Sequence, residues 1–469
     1  MSSTKEKQSP SLPQAGDSTS IRYQAEDDNI PTGTLHRRLN NRQIQLIAAG
    51  GSIGTALFIS IGGGLAKGGA ALVNNSIAEM STYMPVAGGF IRLAGNWVDD
   101  ALGFMAGWNF FLYEALLIPF EITALTSVIA FWDPNTLNPG PTAGVCAAVI
   151  TAYALINILA VGFYGEFEFW LSGGKILLIF ILFAFTFVTM CGGNPAHNAY
   201  GFRHFASGTF STYLSTGPKG HFEGFLAALF SAGFTIVGPE YISMVSAEAQ
   251  RPSIYIKNAF KTVYYRFCIF FVFGALAVGI SCAHDDPKLT EIYFGSGSTG
   301  NAASSPFLQC ANGSAEVLNW LVSIVTGGAL INFLVISITF INYYEACEAQ
   351  GVDRKTRPYY GYFQPYSAYI ALAVQTLIVL TYGYYAFRPT WSTEAFFQNY
   401  SMQILAVILF VGWKLVKNTR YVRPIEVDLV WERLEIDAYE NSLTEAPTGF
   451  WEEMGHLIGI RRGKKTAQA

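Results

Sequence analysis

Long runs without a charged side chain alternate with short polar segments along most of this sequence. No Asp, Glu, Lys or Arg occurs across residues 43–66, 267–283, 317–344, 358–387 or 395–413. A helix needs roughly 17–25 mostly apolar residues to cross the hydrocarbon core of a bilayer, and all five runs are long enough. Extending outward from them, the pattern predicts membrane-spanning helices at 43–66, 101–131, 143–162, 171–192, 222–249, 264–283, 317–344, 366–387 and 397–416. Trp97, Trp132, Trp170, Trp391 and Trp413 stand near the ends of these segments. That is where an amphipathic indole anchors at the membrane–water interface. The fold class is therefore an all-α polytopic membrane protein.

Composition sharpens this reading. Of 469 residues, 51% are hydrophobic and only 13% charged, about half the charged share of a soluble domain. The mean hydropathy is +0.31. The net charge of −4 says little, because in a bilayer charges act locally. Local basic clusters set the orientation instead. Arg37, Arg38 and Arg42 precede the first span, and Lys414, Lys417, Arg420 and Arg423 surround the end of the last. Arg251, Lys257 and Lys261 form a third cluster, and Arg354, Lys355 and Arg357 a fourth. Basic residues favour the cytosolic side, so both termini are expected there. Nine crossings cannot return the chain to its starting side. A tenth is required, and 70–84 is the segment left for it, although Asn74, Asn75 and Glu79 make it short and polar. The expected organisation is a disordered cytosolic tail at 1–42, a membrane domain at 43–416 and a cytosolic tail at 417–469.

Two spans are interrupted. Gly50-Gly51-Ser52-Ile53-Gly54-Thr55 sits in the first, and Gly238-Pro239-Glu240 in the segment 222–249. Lipid satisfies no backbone hydrogen bond, so an unwound stretch persists only where it is buried or lines a cavity. Two Gly/Pro-broken spans point to a midplane binding site between helices, with close helix packing as the plainer reading of the glycines. Ionisable residues inside spans are costly and usually functional. Lys175 near the start of 171–192 is read either as a proton carrier or as a lysine reaching the headgroups. Glu121, deep in 101–131, is read as a partner for a substrate ammonium or as a structural carboxylate. Glu114, one to two turns earlier, is expected to face another helix, and Glu240 to face the cavity. For Glu79, Glu166 and Glu168 solvation at the cytosolic ends is the plain expectation, a cytosolic gate the functional one. Scattered cysteines and histidines give no metal spacing, and no HExxH, CxxC or P-loop motif occurs. No enzyme activity, cofactor, metal or nucleic-acid partner is expected, and the oligomeric state stays open.

These residues, taken together, carry a resemblance. Leu35-His36-Arg37-Arg38-Leu39 before the first glycine motif is similar to the opening of fungal amino-acid permeases of the amino acid–polyamine–organocation superfamily. So are Pro85-Val86-Ala87-Gly88-Gly89-Phe90, Gly107-Trp108-Asn109 with Pro119-Phe120-Glu121, and Tyr164-Gly165-Glu166-Phe167-Glu168-Phe169-Trp170 leading to Lys175. Gly238-Pro239-Glu240 with Ala247-Glu248-Ala249-Gln250-Arg251-Pro252, and the tail Glu426-Val427-Asp428-Leu429, fit as well. The resemblance implies a LeuT-type bundle of two inverted five-helix repeats plus two helices, and proton-driven uptake at the plasma membrane. It implies that backbone around Ser52, Ile53, Gly54 and Thr55 takes the substrate carboxylate. Backbone at Val237, Gly238 and Glu240 would help hold the amino group, Glu121 would belong to the site, and Lys175 would couple the proton. Amino acid, proton and lipid bilayer are then the partners. The family has twelve spans. Here about half of the second and the whole eighth and ninth are missing, which leaves about ten. A non-transporting nutrient sensor, or a carrier of polyamines or carnitine, are the alternative readings.

Overall fold

The computed structural model describes residues 37–52, 68–129, 132–133, 135, 138–159, 164–205, 212, 215–235, 238–282, 315–353, 355, 357–387, 390–444 and 446–457. Among these, regular structure is helical, apart from one isolated parallel bridge between Leu39 and Ala249. The expected N-terminal tail lies outside the described residues up to residue 36, as does the polar loop 283–314. The helices are α1 (Asn41–Ser52), α2 (Gly68–Tyr83), α3 (Gly89–Trp97), α4 (Asp100–Ile129) and α5 (Pro139–Leu159). They continue as α6 (Tyr164–Met190), α7 (Gly217–Thr235), α8 (Pro239–Met244), α9 (Pro252–Arg266) and α10 (Phe273–Ser281). The last five are α11 (Ala315–Ala349), α12 (Tyr366–Thr381), α13 (Thr393–Lys417), α14 (Arg433–Ser442) and α15 (Phe450–Leu457).

Seven described helical segments are long and apolar enough to cross a bilayer: Asp100–Thr126, Gly140–Ile158, Gly165–Met190, Pro252–Ser281, Trp320–Ala349, Tyr366–Phe387 and Thr393–Lys417. The three remaining expected crossings are the special ones. α1 is described only as far as Ser52, and the segment 222–249 is divided between α7 and α8. α2 is described only from Gly68, to Tyr83. One expectation needs correction. The span expected at 264–283 begins at Pro252 and runs through a π-helical segment at Phe267–Val272, so Lys257 and Lys261 ride on its first turns. Their solvated side chains start the helix outside the apolar zone.

α11 lies at the centre, packed against α2, α4, α12 and α13, while α1 packs on α6 and α9. The main core includes Ile44, Ile77, Phe90, Trp97, Phe260, Phe333, Phe340 and Tyr343. Outward positions of α5 and α6 carry exposed Ile150, Leu155, Ile158, Phe180, Phe185 and Phe187. Such a face suits hydrocarbon and not water.

The segments bearing the four basic clusters meet at one end of the molecule. Leu39 N–H donates to the Glu248 carbonyl at 3.0 Å, and Gln350 Nε2 to the Val427 carbonyl at 2.7 Å. The chain beyond α13 is not a loose tail but crosses beneath this end. Arg92 pairs with Glu432 at 2.6 Å, Arg433 Nη1 donates to the Tyr83 carbonyl, and Ser253 N–H donates to Glu440. The crossing finishes on α1, where Asn41 Nδ2 donates to the Thr448 carbonyl and Arg42 N–H to Glu453 Oε2 at 2.8 Å. A carboxylate there faces the positive end of the helix dipole.

A second tie joins α4 to α13 through Asp99, which accepts from Lys414, from Thr419 Oγ1 and from Ala101 N–H. Burial alone would raise the Asp99 carboxyl, but these hydrogen bonds outweigh it and hold it below the usual range. A depressed carboxylate stabilises above its unfolded pKa of about 3.9 and loses that contribution as pH falls through the lower folded value. The melting temperatures of the wild type and Asp99→Asn are therefore expected to differ by a constant amount from pH 8 to about 5. They should converge below roughly pH 4; a gap that widens on acidification would contradict the tie.

Candidate functional site

The first break begins where α1 runs into glycine. A Cβ on Gly50 would stand 1.8 Å from Ser172 Oγ and 2.7 Å from Glu168 Oε1, so only glycine lets α1 approach α6 this closely. Ser172 Oγ in turn donates to Glu168 Oε1 at 2.9 Å, and Lys175 Nζ donates to the Gly50 carbonyl at 3.3 Å. Lys175 thus faces the bundle and holds a carbonyl in the last described turn of α1, where helical carbonyls run out of backbone partners. Ser52 is the last described residue of α1, and Ile53, Gly54 and Thr55 lie outside the described residues. Residues 50–54 also spell the G-x-S-x-G of a serine-hydrolase elbow, a motif that needs a strand before its serine. A helix runs through Ser52, so that reading falls.

The second break is resolved from Gly238 onward, with Val237 outside the described residues. Gly238 has φ 141°, a conformation essentially restricted to glycine. Pro239 opens α8 as its first residue, where its missing N–H costs nothing. This geometry drops Glu240 into the bundle with 0% exposure. Its Oε2 accepts the Gly238 N–H at 3.3 Å, while Oε1 has no partner among the described residues.

The next residue links this break to α4. Tyr241 Oη donates to Tyr113 Oη at 3.5 Å, and its hydroxyl also engages the Glu114 carboxyl. Glu114 and Glu240 lie close enough to repel one another electrostatically, and one oxygen of Glu114 is likewise buried without a partner among the described residues. Phe110 packs beside Tyr113 and Tyr241 with ring centroids at 6.0 and 6.5 Å. α11 closes the far wall: Tyr113 packs on Val325 and Ala329, and Asn109 Nδ2 donates to the Gly328 carbonyl at 2.9 Å. The carboxylate of α4 that reaches the break is Glu114, two helical turns before Glu121. Residues seven apart lie nearly on one helix face, and Tyr241 engages the first of the two.

Glu79 also departs from its plain expectation of solvation. It is wholly buried and pairs with Arg357 at 3.2 Å, the side chains being 0% and 1% exposed. Gly361 N–H donates to the other carboxylate oxygen, and Arg357 donates to Tyr343 Oη at 2.7 Å while stacking on the Tyr343 ring. A buried guanidinium with an aromatic face and a carboxylate is a tightly specified arrangement. It joins α2 to the segment after α11. Glu166 pairs with Arg42 and accepts from Gln43.

The sequence profile of the amino acid permease family matches residues 43–312 and 307–423. The chain belongs to this family. The permease is 34% identical to the general amino acid permease AGP2 of Saccharomyces cerevisiae, over 92% of this chain and 89% of that protein. It is 28% identical to a proline-specific permease of Emericella nidulans, over 94% and 97% of the two chains. With a lysine-specific permease of Saccharomyces cerevisiae the identity is 25% over 93% and 84%. The first of these alignments runs over 536 positions, more than the 469 residues of the permease, so the relative carries stretches that have no counterpart here. The two parts of the profile match meet at 307–312, where the eighth and ninth family spans are expected to be missing.

Proposed function

We propose that this permease carries amino acids across the plasma membrane together with a proton, by alternating access around its two broken helices. The observation that carries this reading is Glu240, fully buried at a glycine break with one carboxylate oxygen unpartnered among the described residues. A charged group at membrane depth without a partner is expensive, and a substrate ammonium supplies what it lacks. Backbone at Ser52, Ile53, Gly54 and Thr55 takes the substrate carboxylate, and Val237, Gly238 and Glu240 take the amino group. Glu121 extends the site along α4. The four basic clusters at one end face the cytosol by the positive-inside rule, so substrate is released there, with both termini on that side.

Lys175 is the proton carrier in this scheme. Protonated, its ammonium donates to the Gly50 carbonyl and holds α1 against α6. Deprotonated, it gives up one charge-assisted bond, and α1 is freer to swing. Lys175→Ala is expected to leave folding intact and to flatten the pH dependence of radiolabelled uptake. Unchanged pH dependence in a well-expressed variant rules this role out.

A second reading is a receptor that binds amino acids without carrying them. The profile junction at 307–312 favours it, because walls of the transport path are then missing. Purified permease in vesicles that binds substrate but gives no counterflow is the result that selects it.

A further inference from the structure

The candidate site holds more carboxyl groups than one amino group can answer. Among the described residues, Glu240 and Glu114 each keep a buried carboxylate oxygen without a partner, and the two groups sense one another's charge. No described Lys or Arg is paired with either. By contrast, buried or half-buried Glu79, Glu166 and Asp99 each have a cation of their own. The names of the relatives leave the cargo undecided, since they specify general, proline-specific and lysine-specific carriers.

Glu240 is wholly buried and Glu114 half-buried; two such carboxylates repel, and each pays for desolvation unless positive charge arrives with the ligand. An α-ammonium at Glu240 neutralises one of them. Glu114 lies across the Tyr241 hydroxyl, on a different helix. The rings of Phe110, Tyr113 and Tyr241 packed together beside it are suited to an alkyl chain and to a cation at its end. We propose that Glu114 is a specificity-determining residue that selects substrates with a second positive charge at the far end of an aliphatic chain, basic amino acids above neutral ones. The proposal rests on the amino-acid binding site described under Proposed function.

The chemistry recognised is a pair of cationic nitrogens. Lysine and its carboxylate-free analogue 1,5-diaminopentane share it, whereas leucine has a comparable size and no second charge. Purified wild-type permease is titrated with each ligand, binding being read from the shift in melting temperature. Lysine is expected to bind roughly tenfold or more tighter than leucine, as for a site whose buried polar group goes unanswered by the neutral ligand. Lysine binding tighter than 1,5-diaminopentane supports a basic amino acid as the cargo, while the reverse order points to a diamine with the same two nitrogens. In Glu114→Gln the lysine-to-leucine ratio should fall about tenfold, and Glu114→Asp should restore part of it. Leucine binding as tightly as lysine in the wild type overturns the inference and leaves the amino-acid reading standing. A folded wild-type protein that binds none of the three overturns that reading, and the inference with it.

Discussion

Gly238→Val is expected to abolish substrate binding and uptake. At φ 141° an L side chain is strained by about 1–3 kcal/mol, and a β-branched one stands at the upper end. The chain can relieve this only by rotating the peptide that presents the Gly238 N–H to Glu240, which dismantles the site. The expected loss of affinity is about a hundredfold, from strain and the broken hydrogen bond together. Most of the bundle packs away from this residue, so the variant should be produced as a monodisperse protein. Near-wild-type affinity in a folded Gly238→Val would remove the second break from the binding site. The structural loss and the functional loss are separable by comparing its melting curve with its ligand titration.

That break was legible in the sequence because glycine followed by proline inside an apolar run has few structural explanations. The spans at 366–387 and 397–416 were equally plain, since charge-free runs of that length need no tertiary information. Other features were hidden for physical reasons. α3 has only 9 residues, too few for periodicity or span length to register, yet it fills the core with Phe90, Leu93 and Trp97. The beginning of α9 has a mixed composition, so hydropathy placed the start of the span more than ten residues late. Glu114 and Glu121 differ in nothing that a single helix reveals. The residue that distinguishes them, Tyr241, belongs to another helix and is brought to α4 only by the fold. Arg357 was counted with its basic neighbours as a topological signal, but a tertiary contact takes it into the interior.

The second large effect is expected at that residue's partner. Glu79→Ala leaves Arg357 buried with an uncompensated charge, which costs about 3–5 kcal/mol. The melting temperature should fall markedly, and the variant should be recovered in low yield. Replacing both members with apolar residues of similar size, Glu79→Leu with Arg357→Met, should restore most of the loss, because desolvation of the ion pair offsets much of its attraction. A double-mutant cycle over the two sites measures the coupling directly. Additive losses would show that the pair is only adjacent. Full recovery of stability without recovery of uptake would point to the pair as a moving part, opening and closing beneath the site, and not merely a rivet between α2 and the segment after α11.

The order of synthesis adds a consequence of where α1 ends. Its Arg42 N–H is capped by Glu453, a residue 411 positions further along the chain. At about 5–20 residues per second, the helix made first waits roughly 20–80 s for its cap. Throughout that time the helix inserts and packs with that end open. Assembly of this permease therefore closes as a ring, with Glu453 finishing a helix made 411 positions before it.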